Sequence, residues 1–164
     1  MDRNLILYPD PTLKKVSYTV TFFNDVWLDA LISDMHLIMN QFNGLGLSAI
    51  QVGEIVRVML MAQEDPEHPL VLINPVITKT YEKKELMKEG CLSFPGIISK
   101  VDRATVIDVT YNDAQGGTHT KTFKDVFAQC VQHEIDHMDG VLFVERVSPI
   151  YRISLADKLK HRRF

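Results

Sequence analysis

The chain has 164 residues, 46% of them hydrophobic, and a formal net charge of −3. That length and apolar content suit one compact domain over 1–164 with a real core, and the mild acidity argues against DNA or RNA as a partner drawn in by a basic field. No run of eighteen apolar residues occurs, which excludes a helical membrane span, and the opening Met1-Asp2-Arg3 resembles no secretion or organelle leader, so a cytoplasmic protein is expected. In chain order, the pattern predicts a short helix over 11–16. A longer helix follows over 24–42, with Leu28, Leu31, Ile32, Met35, Ile38, Met39 and Phe42 recurring on one inward face. Strand-like runs come at 55–61, 70–77, 81–88, 103–111 and 118–123, with Asn112-Asp113 and Gly116-Gly117 marking a hairpin turn between the last two. A second helix carries Val126, Phe127, Cys130, Val131, Ile135 and Met138 and stops at Gly140. Residues 141–144 read as a short strand and Pro149 onward as a terminal helix. The expected class is α+β, with antiparallel strands packed around a central helix, a long N-terminal helix and a C-terminal helix.

The central helix bears His133-Glu134-Ile135-Asp136-His137. Two imidazoles four residues apart on a helix project from one face and can hold one metal ion, and the glutamate between them supplies a proton acceptor. A catalytic site of this kind uses three protein ligands. A third histidine at HExxHxxGxxH fails on spacing, because Gly140 is present but the last position is Phe143. A downstream carboxylate, Glu145 or Asp157, remains a runner-up. The other source is upstream, in Glu89-Gly90-Cys91-Leu92-Ser93, where a thiolate beside a glycine could close the site. Two cysteines without a signal peptide read as reduced thiols, and Cys130, among apolar neighbours, reads as a small buried hydrophobe.

Three blocks, Gly44-Leu45-Gly46-Leu47-Ser48-Ala49-Ile50-Gln51, Glu89-Gly90-Cys91-Leu92-Ser93 and Gln132-His133-Glu134-Ile135-Asp136-His137, resemble in order and spacing the signature blocks of peptide deformylases. The likeness covers nearly the whole chain, including Leu7-Tyr8-Pro9-Asp10-Pro11-Thr12-Leu13, Leu72-Ile73-Asn74-Pro75 and Gly140-Val141-Leu142-Phe143. It implies removal of the formyl group from the N-terminal formyl-methionine of nascent polypeptides, with release of formate. It also implies that Cys91, His133 and His137 bind one divalent metal, Fe(II) as the native ion with zinc, nickel or cobalt as substitutes. By the same resemblance Glu134 is base and then acid, while the Gln51 side-chain amide and the Leu92 backbone N–H stabilise the oxyanion. The methionine pocket would be walled by Leu45, Cys130, His133 and the backbone around Glu89 and Gly90, and backbone near Gly46 would pair with the substrate as an added strand. Gln129 stands in that pocket where the family often has an aliphatic residue, Ser48 where alanine is usual, and Ile98 where some members carry arginine. Asp136 and Arg103 occupy positions that form a structural ion pair in relatives. The basic ending Lys158-Leu159-Lys160-His161-Arg162-Arg163 is similar to helices by which some relatives dock on the ribosome.

Overall fold

The computed structural model describes residues 3–81, 83–149, 151 and 155. The expected C-terminal helix falls largely outside the described residues, and its basic end wholly so. Among them the fold is α+β. Helix α1 (Val26–Gln41) starts after Asp25, whose carboxylate accepts a hydrogen bond from Trp27 N at 2.9 Å and so caps the first turn. Its buried face is Leu28, Leu31, Met35, Ile38 and Met39. Phe42 departs from the expected inward set: the helix ends one residue before it, and its ring is 46% exposed at the mouth of a cavity.

The described residues form seven strands: β1 (Gly46–Ser48), β2 (Val58–Met61), β3 (Leu70–Thr80), β4 (Lys84–Gly90), β5 (Ile98–Ala104), β6 (Val106–Asn112) and β7 (Thr118–Lys124). Five form an antiparallel sheet in the order β1-β2-β3-β6-β7, and β4 with β5 forms a separate hairpin. At β2 both faces of the larger sheet are covered, whereas β7 is exposed except at Phe123. In β2, Val58 and Leu60 pack into the cluster built on α1, while Met59 and Met61 pack into the cluster under helix α2 (Asp125–Met138). A strand buried on both sides reads as a continuous apolar run, as Val-Met-Leu-Met does.

Two expected strands are corrected. The run at 103–111 belongs to two strands in two different sheets: residues up to Ala104 pair with β4, and those from Val106 pair with β3 and β7. The switch at Thr105, whose N–H donates to Lys83 O at 3.0 Å, uses neither glycine nor proline and therefore left no mark in the sequence. The stretch at 141–144 contains no strand. Phe143–Arg146 is a single helical turn, α3, entered through the Glu145 carboxylate accepting from Leu142 N at 2.8 Å. That local cap outweighs the strand propensity of Val-Leu-Phe-Val.

The stop at Gly140 has two causes. Gly140 N bonds His137 O at 3.1 Å and Val141 N bonds Asp136 O at 2.8 Å, a C-terminal lock that sets Gly140 at φ +70°. A Cβ there would also lie 2.5 Å from Lys14 O.

Candidate active site

On α2, residues four apart share a face, so Gln129, His133 and His137 form one row and Cys130 and Glu134 the next. His133 and His137 rings meet edge to face with centroids 4.9 Å apart. Backbone of β1 crosses this face so closely that a Cβ on Gly46 would lie 2.5 Å from Cys130 Sγ and 2.8 Å from Glu134 Oε1. Glycine is therefore a packing requirement at position 46.

Cys91 directly follows β4 and opens two consecutive turns, closed by Phe94 N to Cys91 O at 2.9 Å and Ile97 N to Phe94 O at 3.0 Å. Phe94 holds those turns in place. It is fully buried, stacked on Tyr8 with centroids 4.7 Å apart and edge-on to Phe143 at 5.3 Å. The N-terminal segment acts as a strap: Ile6 N bonds Gln51 O at 2.7 Å and Tyr8 N bonds Ser93 O at 2.9 Å, tying two of the site's blocks together.

Gln51 lies on a 3-10 turn, Ala49–Val52, immediately after β1. Its Oε1 accepts from both the N–H and the hydroxyl of Ser48, each at 3.0 Å, which turns Nε2 toward Ser93 Oγ at 3.1 Å and Cys91 Sγ at 3.5 Å. The Ser48 hydroxyl, where alanine is usual in the family resemblance, thus bonds a side chain.

One ligand atom each from Cys91, His133 and His137 lies within 4.8 Å of the others, with Cys91 Sγ 3.1 Å from His137 Nε2. A thiolate with two imidazoles is a donor set for Zn, Fe(II), Ni or Co. Glu134 Oε2 and His137 Nδ1 are buried without a hydrogen-bond partner. An orphaned carboxylate oxygen is costly in a purely structural core and is at home beside a ligand, whereas the His137 nitrogen that meets the sulfur is Nε2. The residues present fit a divalent ion.

Around this centre lies a charged knot. His133 Nδ1 pairs with Glu89 Oε1 at 2.6 Å; Arg103 clasps both oxygens of Glu89 at 2.7 and 3.0 Å and reaches Asp136 Oδ2 at 2.7 Å. Arg146 closes the far side on Asp136 at 2.6 and 3.1 Å. Burial alone would raise the Glu89 pKa, but hydrogen bonds from His133 and Arg103 outweigh it and hold it at about 2. At His133 burial opposes the charged ring, yet its bonds to Cys91 and Glu89 raise the pKa well above the ordinary value. Burial, then the neighbouring His133 charge, push His137 well below it. Burial raises the Glu134 carboxyl.

A cavity of about 760 Å³ opens onto the centre. Leu45, Gly46, Glu89, Gly90, Cys91, Leu92, Gln129, Cys130, His133 and Glu134 line it, while Gln51 and His137 stand outside the lining. The Glu89 side chain, Phe94 and Arg146 had no part in the sequence expectation. None of the three could be picked out beforehand: β4 carries two acids, and only the fold buries Glu89 while leaving Glu85 exposed.

A sequence model of the polypeptide deformylase family matches residues 2–152. The chain belongs to this family. The peptide deformylase of Brucella suis is 40% identical over 159 residues, covering 95% of this chain and 90% of its own, and that of Zymomonas mobilis is 39% identical, covering 94% and 91%. Among solved structures, peptide deformylase from Plasmodium falciparum superposes with a TM-score of 0.90 at 35% identity over 96% of this chain and 93% of that one. The Thermotoga maritima peptide deformylase gives 0.85 at 35% identity, over 91% and 99%. Deformylases are metal-dependent enzymes that remove N-formyl groups from nascent peptides. The described helices include none long and apolar enough to cross a membrane.

Proposed function

We propose that this deformylase works through a centre in which Cys91, His133 and His137 hold one divalent ion and Glu134 moves the proton. The observation that carries this reading is the meeting of one sulfur and two ring nitrogens within 4.8 Å, beside a buried carboxylate. An ion bound there acidifies water and offsets charge growing on a carbonyl oxygen. Glu134, its pKa raised by burial, accepts the proton of the attacking water and returns it to the departing amine nitrogen as the formyl C–N bond breaks. Gln51 Nε2 gives one hydrogen to Ser93 Oγ at 3.1 Å and the other to Cys91 Sγ at 3.5 Å, and the second would turn from the sulfur to the oxygen that gains charge. The backbone N–H of Leu92 is the second donor to that oxygen. The methionine side chain enters between Leu45, Gln129 and Cys130, and the peptide pairs with backbone near Gly46.

Fe(II) is the proposed native ion, with zinc, nickel and cobalt as substitutes that the donor set also admits. The same reading makes the chain a single catalytic unit over 1–164 that works in the cytoplasm. The basic run Lys158 to Arg163 supports docking near emerging chains, so a chain cut after Ala156 should cosediment less with ribosomes.

Formate release from formyl-Met-Ala-Ser by anaerobically purified protein, with elemental analysis of the same sample, tests the whole reading. One ion per chain, lost in Cys91→Ala, is expected. A Cys91→Ala protein that keeps its metal would instead favour a downstream carboxylate ligand.

A further inference from the structure

The Gln129 side chain has both amide hydrogens committed away from the methionine pocket that it lines. Nε2 donates to Lys88 O at 2.8 Å and to Glu89 Oε2 at 3.2 Å. Both partners are acceptors only, which fixes the amide's orientation and leaves Oε1 as the one polar group it can offer the cavity. The Glu89 carboxylate thereby accepts four hydrogen bonds: His133 Nδ1 and Arg103 Nη2 on Oε1, and Arg103 Nε and Gln129 Nε2 on Oε2. Two oxygens with about four acceptor sites are then fully used, and the carboxylate has no second orientation that satisfies its donors.

The placement matters because the three candidate ligands come from two separate pieces. His133 and His137 ride on α2, whereas Cys91 follows β4 of a hairpin that shares no ladder with the larger sheet. Gln129 sits one helical turn before His133 and bonds the last residues of β4, two and three positions before Cys91. It is therefore a cross-brace between the helix and the strand whose ends must converge.

We propose that Gln129 is a positioning residue: its amide locks Glu89 against His133 and holds the β4 end to α2, trading some apolar character in the pocket for a longer-lived metal centre. The proposal rests on the metal reading above. Partners behind a ligating histidine commonly change metal affinity by about 10–100-fold when removed. Gln129 acts one step further out, so a faster metal loss of about 3–10-fold is the expected size.

The test compares wild type with Gln129→Met and Gln129→Leu, which keep bulk and helix propensity but lack the amide. Each protein is loaded with nickel or zinc and metal release to a chromogenic chelator is timed, alongside steady-state kinetics on formyl-Met-Ala-Ser and thermal unfolding of the metal-free proteins. The expected result is release accelerated about 3–10-fold in both variants, with KM for the formyl-methionyl substrate lowered as the pocket wall becomes apolar. Release at the wild-type rate overturns the proposal. So does faster release matched by an equal fall in metal-free stability, because that is general loosening. Cys91→Ala is run in parallel. If it too retains metal at the wild-type rate, the metal reading has failed; if it loses metal while both Gln129 variants do not, only the bracing role has.

Discussion

Glu134 is 3% exposed, yet the reaction needs it to take and release a proton, so its substitution should separate chemistry from metal binding. Glu134→Gln keeps the shape and removes the base; kcat for formate release should fall by about 10²–10⁴ while metal content per chain stays at the wild-type value. Metal loss in that variant would show the carboxylate to be a ligand or a structural group. Ser48 allows a finer test. Gln51 Oε1 is held by both the N–H and the hydroxyl of residue 48, so Ser48→Ala leaves one of two bonds. Losing a hydrogen bond worth about 1 kcal/mol should lower kcat/KM roughly fivefold, with KM the smaller contributor if Gln51 acts mainly on the transition state. At this scale the HExxH residues were legible because their spacing is set within one helix. The Ser48 bond was not, because a hydroxyl has several local partners and only the tertiary fold chooses among them.

The hairpin β4–β5 and helix α2 are joined by charge more than by ladder bonds. Glu89, Arg103 and Asp136 are all buried, and each depends on the others for its partners. Arg103→Met should therefore cost about 3–5 kcal/mol in urea denaturation, since it removes the buried cation shared by two carboxylates, whereas the outer Arg146, half exposed, should cost about 1 kcal/mol or less when replaced by Met. A pH series adds a sign. The folded Glu89 pKa of about 2 lies below the 4.5 of an ordinary glutamate, so its contribution is complete above pH 4.5 and is lost as pH falls toward 2. Unfolding free energy of the metal-free protein should drop across that window, and less steeply in Glu89→Gln. Elements with one periodic face, such as α1 and α2, could be read from the sequence; the break at Thr105 and the turn at Phe143–Arg146 could not. Sheet switching at Thr105 is decided by which partner strand is near, and α3 by a cap formed with Glu145, neither of which alters the run of β-favouring residues.

On the scale of the molecule, the candidate centre is the point where two otherwise separate pieces meet, because Cys91 belongs to the hairpin and both histidines to the helix. An ion bound by all three is a crosslink in the folded state that the unfolded chain lacks, and binding stabilises by mass action. At a free metal concentration 100 times Kd this amounts to about 2.7 kcal/mol. For a chain of this size each kcal/mol moves the melting temperature by about 2–4 °C, so stripping the metal with a chelator should lower it by about 5–10 °C. Without the sulfur the link is cut on one side. The chelator-induced shift in Cys91→Ala should then shrink to about 2 °C or less, even though both histidines remain. The comparison is made by differential scanning calorimetry on nickel-loaded protein with and without chelator, nickel being chosen so that oxidation of Fe(II) in air does not blur the result. Equal shifts in the two proteins would mean that the ion is held by the helix alone and that the hairpin contributes substrate contacts but no ligand.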